Sequence, residues 1–287
     1  MIPKGRVVST IPFTALIVLV PVAALAADAT PAAKQAFLER QKTYLIVEIT
    51  ETGAKEFGAP KDALTDGAFR ANRSVKFEVP LEMSMPGMYP QSSASLSPAE
   101  LSEPNRFAAW TVAMPDDAAL EKILTSGNAD LSANPMMLPV SFSVDDVSQF
   151  RYRDTPSAGF GTQTTTSKGQ GVVYAGKNGM LVCDLKTMRC DIGLPANYHD
   201  GTDMITSTTT SDVPGFETRN ERVGPSMVLP GVSGDLAKKL AGFPLKLSDP
   251  EVLTFSGSGG KEDAGTTVTV KVTVSARPLP KPPAATR

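Results

Sequence analysis

The sequence predicts a mainly β fold: a β-rich α+β chain built as an antiparallel sandwich or a curved open sheet, with a few short peripheral helices. Three observations predict it. Apolar residues recur at every second position over two long segments. The helical patterns are short and end at proline or glycine. Only 20% of residues are charged, while 23 glycines and 24 prolines supply turns between strands.

The first element is not part of the fold. Lys4 and Arg6 precede the apolar run IPFTALIVLVPVAALA, and no acidic residue occurs before Asp28. Ala24-Leu25-Ala26 places small residues at the third and first positions before a cut. This pattern predicts a secretory signal peptide over 1–26, cleaved after Ala26. Pro12, Pro21 and the small-residue end favour cleavage over a retained anchor. Removing 26 of the 287 residues leaves 261. The leader holds two of the 28 basic residues and none of the 30 acidic ones, so the remainder carries a formal charge of −4. A mildly acidic chain has no electrostatic reason to bind nucleic acid.

The exported β-rich domain is expected over 27–276, with a division into two subdomains near 155–170 left open. The segment TPAAKQAFLERQ, from Thr30, reads as a helix. SVKFEVPLEMSM alternates strictly, with Val75, Phe77, Val79, Leu81, Met83 and Met85 on one face. Pro80 lacks a ladder donor and belongs at an edge or a bulge. Ser97-Pro98-Ala99-Glu100 is a capping box with proline at the first helical position, stopped by Pro104. DDAALEKILTSG and SGDLAKKLAG are two further short helices. YLIVEIT, RFAAWTV, LPVSFSV, QFRYR and VLTFSGS are weaker strands, and TTVTVKVTVS points Val268, Val270, Val272 and Val274 inward. Alternating rather than continuous apolar runs favour antiparallel pairing with one wet face. Residues 159–171 read as a loop or an exposed strand. The Pro-rich tail 277–287 can form neither sheet nor helix. TTTS occurs at 164–167 and again at 208–211, too short a match to define a repeat.

The two cysteines, Cys183 and Cys190, lie in LVCDLKTMRCDI. Asn178-Gly179 is the strongest hairpin signal in the chain. A type I′ turn there sets Lys177 opposite Met180, Tyr174 opposite Cys183 and Val172 opposite Leu185. Asp184 and Arg189 then close a four-residue loop over 185–188, with Cys183 opposite Cys190. In a non-hydrogen-bonded pair the Cα atoms approach to about 4.5 Å, close to what a disulfide needs. This register predicts a three-stranded meander over 171–194 stapled by Cys183–Cys190, with Asp184 facing Arg189 on the other side. Redox dithiols sit two residues apart at a helix N-terminus, and neither condition holds here.

Candidate chemistry is sparse. His199 is the single histidine and lies in the turn-like NYHDGTD. No Gly-x-Ser-x-Gly elbow accompanies it. Ser258-Gly259-Gly260-Lys261 matches Ser-x-x-Lys, but in a glycine-rich loop rather than on a helix. The methionines Met83, Met85 and Met88 form a thioether cluster that could hold Cu(I), or they continue the core series. Asp116-Asp117 reads as helix N-terminal charge and Asp145-Asp146 as a turn. Asp200 and Asp203 lie close together in sequence. A carboxylate hydrolase needs two acids across a cleft within about 10 Å. An outer-membrane barrel is disfavoured by 6% aromatics and by helices that interrupt the strands.

The expectation is therefore an exported, periplasmic or secreted, non-enzymatic β-rich module with a binding or structural role. Its partner would be a protein or another envelope component, with no nucleic acid, no cofactor and no membrane span after leader removal. A Cu(I) protein using Met83, Met85 and Met88 and a carboxylate hydrolase are the alternatives.

Overall fold

The computed structural model describes residues 31–57, 65–83, 87–113, 115–118, 121, 131–152, 161–195, 197–232, 240–244, 246–249, 254–263 and 266–278. The leader, most of the two segments 116–127 and 233–242 and the Pro-rich tail from residue 279 lie outside these residues. Two short helices are described, α1 (Pro31–Leu38) and α2 (Pro98–Leu101). The strands are β1 (Lys42–Phe57), β2 (Thr65–Met83), β3 (Phe107–Thr111), β4 (Met137–Tyr152), β5 (Gly161–Gly176), β6 (Met180–Asp184), β7 (Arg189–Gly193), β8 (Tyr198–His199), β9 (Ile205–Ser211), β10 (Arg219–Val223), β11 (Phe243–Pro244), β12 (Lys246–Asp249), β13 (Thr254–Asp263) and β14 (Thr266–Ser275).

Of the two predicted architectures the open antiparallel sheet is the one formed. Its main path runs β10-β9-β5-β4-β2-β1-β14-β13-β12. A branch leaves the end of β2 and runs through β3, β6, β7 and β11. The alternation seen in sequence places the faces. Leu45, Val47 and Ile49 of β1 bury beside Val75, Phe77, Val79 and Leu81 of β2. Val140, Phe142 and Val144 of β4 and Val270, Val272 and Val274 of β14 continue the same inner face. Trp110, Leu181, Cys183 and Ile192 of the branch join one apolar cluster with them. Phe37 of α1 closes it, 1% exposed and 4.5 Å from the Trp110 ring.

Pro80 sits where its chemistry requires. It faces Tyr44 of β1 on one side. On the other side β4 pairs with β2 up to Phe77, and β3 takes over only at Glu82. The missing donor falls beside that change of partner, so no ladder bond is lost. The capping box of α2 forms: Ser97 Oγ accepts from the Glu100 N–H, and the Glu100 carboxylate accepts from the Ser97 N–H at 2.9 Å. Those Ser97 bonds hold the Glu100 carboxyl below its ordinary value.

The cysteine hairpin forms in the predicted register. Cys183 faces Cys190, Asp184 faces Arg189, and residues 185–188 make the turn. The disulfide is present, with Cα atoms 4.1 Å apart and both residues 1% exposed.

The first half of the predicted meander is corrected. β5 pairs with β4, β9 and β8, and β6 pairs with β3 rather than β5. Asn178-Gly179 is not a primed turn; neither residue has positive φ. It is a crossover from the main sheet to the branch, with Lys177 N–H on the Met136 carbonyl and Val112 N–H on the Gly179 carbonyl. Glycine is needed at 179 for space, because a Cβ there would lie 2.8 Å from Val79 Cγ1. The predicted hairpin register also puts Val172 and Tyr174 on the apolar face with Leu181, Cys183, Cys190, Ile192 and Leu194, whereas in β5 Val173 and Ala175 are buried and Val172 and Tyr174 only half-buried. Asp184 and Arg189 keep their cross-strand register, but their side chains bond elsewhere. Asp184 binds the buried Arg106 at 3.2 Å and accepts from the Lys186 N–H, while Arg189 donates to the Gly242 carbonyl.

Three local readings change too. Asp145-Asp146 lies inside β4 and not in a turn. Residues 258–261 lie in β13, a strand rather than a glycine-rich loop. His199 is exposed in the two-residue β8, opposite Tyr174.

Candidate functional site

The long strands outrun their core. Along the inner face of β4, Leu138, Val140, Phe142 and Val144 give way to Asp146, Ser148, Phe150 and Tyr152. Along β2 the series Leu81 to Val75 gives way to Arg73, Ala71 and Phe69. On β1 Ile49 is followed inward by Glu51, and on β5 Ala175 and Val173 lead to Ser167 and Thr165. The unbroken apolar series stops within one row of the same level on all four strands, at Glu51 and Arg73 on β1 and β2 and one row later, at Asp146 and Ser167, on β4 and β5.

An ionic cluster marks that level. Glu51 faces Arg73 directly across β1–β2. Arg73 Nε donates to Asp146 Oδ2 at 2.6 Å, and Arg73 Nη1 reaches Glu51 at 3.4 Å. Asp146 also accepts from the Asn72 N–H at 3.1 Å. Arg73 Nη1 donates to the Val228 carbonyl at 2.8 Å, pinning the segment after β10 across the end of the core. Side-chain exposures of 18%, 16% and 8% for Arg73, Glu51 and Asp146 make this a half-buried group in which one guanidinium is shared by two carboxylates.

Beyond it the inner face is uncharged on β4 and β5 and mixes rings with hydroxyls. One cross-strand row is Phe69, Ser148, Thr165 and Thr209; the next is Gly67, Phe150, Gln163 and Ser211. Phe150 is 38% exposed and stacks on Tyr152, with ring centroids 6.3 Å apart. The Arg73 guanidinium lies 5.5 Å from the Phe69 ring centre. Thr165 and Thr209 share a hydrogen bond at 3.0 Å, and Ser167 donates to Ser207 at 3.3 Å. Such cross-strand hydroxyl pairs hold β5 to β9 where no apolar core does so. A surface of ring faces beside hydroxyl and amide groups can hold a ligand by stacking and by neutral hydrogen bonds.

Sequence reading missed this site. One signal was present: the two TTTS segments do meet, with Thr164 opposite Thr210, Thr165 opposite Thr209 and Thr166 opposite Thr208. The inward phase of Phe150 and Tyr152 was also readable from LPVSFSV once β4 continued into QFRYR.

The methionine candidates fall largely outside the described residues. Met83 ends β2, Met88 is 38% exposed, and Met85 and the Met83 side chain lie outside the described residues. Among the described residues no three His, Cys, Asp or Glu side chains gather as metal ligands. Asp203 accepts from the Val172 N–H, and Asp200 from the N–H and hydroxyl of Ser226. Asp191, 5% exposed, accepts from the Gly242 N–H at 2.6 Å and the Gln91 N–H at 2.5 Å. These carboxylates fasten loops to the sheet.

No protein-family profile matches the chain. No curated protein matches it either. Among solved structures, a comparison returns the crystal structure of Ail, the attachment invasion locus protein of Yersinia pestis, at 5% identity. The alignment covers 82% of this chain and 97% of Ail with a TM-score of 0.12, too low to carry fold or function. Among the described residues no helix is long and apolar enough to cross a membrane.

Proposed function

We propose that the protein is an exported, non-enzymatic module of the envelope or the secreted fraction, and that it binds a partner on the ring-and-hydroxyl face beyond the ionic cluster. The observation that carries this reading is the position of Phe150 and Tyr152. They stack on each other on the inner face, outside the apolar core, beside Gln163 and Thr165. Core packing does not account for an exposed Phe150 ring beside a half-buried Tyr152 there. The leader pattern at 1–26 and the Cys183–Cys190 disulfide support export, since such bonds persist in oxidising compartments.

The test is site-specific photo-crosslinking in the native host. A photoreactive phenylalanine analogue replaces Phe150 in one strain and Gln149, its exposed neighbour on the opposite face, in another. A discrete adduct from position 150 alone, lost on Tyr152→Ala, is the expected result. Equal labelling from both positions, or none from either, would overturn the reading.

A further inference from the structure

We propose that the protein self-associates through β10, whose exposed edge is built to pair antiparallel with β10 of a second copy. β10 ends the main sheet path among the described strands, so one row of its backbone N–H and C=O groups has no strand partner there. Its residues Arg219 to Arg222 are all exposed. Charged edge strands ordinarily keep copies apart, and that holds when charges of one sign would meet. Here the signs are self-complementary.

A two-fold axis normal to the sheet keeps each face on its own side, and residues of the same parity then oppose each other. With Asn220 on that axis, Asn220 faces Asn220 of the second copy, and Arg219 faces Glu221 in both directions. Arg219 and Glu221 already pair along the strand at 2.8 Å. In the dimer each charge would have an opposite neighbour along its own strand and another across the interface. The other two-fold registers lack this match. An axis through Glu221 sets two carboxylates face to face, and one through Arg222 sets two guanidinium groups face to face. Behind the edge, Thr208 donates to Asn220 Oδ1 at 2.8 Å and fixes the central residue.

A five-residue edge makes a weak interface, so the readout is concentration-dependent mass by light scattering and native mass spectrometry on the oxidised full-length chain. The wild type is expected to show a reversible monomer–dimer equilibrium. Glu221→Arg and Arg219→Glu each place like charges opposite one another, and each should weaken dimerisation by about 10- to 100-fold. The double variant R219E/E221R restores complementarity and should dimerise again. A mixture of the two single variants should form a heterodimer, because opposite charges then meet at both crossings of positions 219 and 221. Both positions are exposed, and circular dichroism checks that folding is kept. Asn220→Cys should cross-link to itself on mild oxidation. A wild type that stays monomeric at its highest soluble concentration, a dimer that survives Glu221→Arg, or single variants that fail to combine would each overturn the proposal. None of these outcomes depends on the ligand face at Phe150, so the two proposals fail separately.

Discussion

Tyr198 and Gly171 show how single residues bind the loops to the sheet. The Tyr198 hydroxyl donates to the Pro230 carbonyl at 3.1 Å. Burial pushes its phenol above the ordinary value of 10.0. The folded state thus favours the neutral ring. Its contribution is complete below the unfolded value and is lost as pH rises through the folded one. Tyr198→Phe should remove about 1 kcal/mol near neutrality, by leaving the Pro230 carbonyl without its donor, and should flatten the alkaline loss of stability. Urea unfolding at a series of pH values from neutral to strongly alkaline checks both parts. An unchanged alkaline slope would assign that loss to another group. Gly171 is a different case. A Cβ there would collide with the Asp203 carboxylate that accepts from the Val172 N–H. The glycine was visible in sequence, but the loop that comes against it was not, because Asp203 lies 32 residues further on.

At the scale of the element, the Cys183–Cys190 hairpin was legible because its constraints are local. The turn length, the pleat and the disulfide's reach all act within about ten residues. The eight-residue loop it closes restricts the unfolded chain by about 2.5 kcal/mol on the chain-entropy argument. Cys183→Ser with Cys190→Ser should lower unfolding free energy by about that amount, as should reduction of the wild type. The hairpin itself should persist, because Arg106 still binds Asp184 and β3 still pairs with β6. Near-ultraviolet circular dichroism of Trp110, which lies opposite Leu181, would report it. Loss of that signal together with the disulfide would show the bond to be required for the branch. The β5–β6 hairpin, by contrast, was misread from equally local signals. An Asn-Gly pair permits a primed turn but does not compel one. Here β5 makes its long pairings with β4 and β9, and those decide where the chain goes next.

For the whole molecule, the sheet divides into a half with a core and a half without. The inner rows through Val47, Phe77, Phe142 and Val272 are buried at 4% exposure or less. The rows past the Arg73 cluster are held by ladder bonds, hydroxyl pairs and surface contacts such as Arg151 on Asp66 rather than by a buried core. Local opening should follow that division. Amides at 45–49, 75–79, 140–144 and 270–274 should exchange only through global unfolding, whereas those of 163–167, 207–211 and 219–223 should exchange through smaller openings. Native-state hydrogen exchange against denaturant tests this directly. A single isotherm for both groups would mean that the two halves unfold as one unit.

By itself the sequence determined the mainly β class, the inward phase of β2 and β14, the α2 capping box and the cysteine register. Each rests on a period of two or on contacts a few residues apart, so the residues involved carry the information alone. Only the tertiary structure decided the partners: β9 beside β5, β3 beside the end of β2, Arg73 between Glu51 and Asp146, and Arg106 on Asp184 in place of Arg189. Alternation says which face of a strand is buried but not against which strand. That choice follows from closing loops of tens of residues so that every apolar face meets another, a condition on the whole chain rather than on any segment of it.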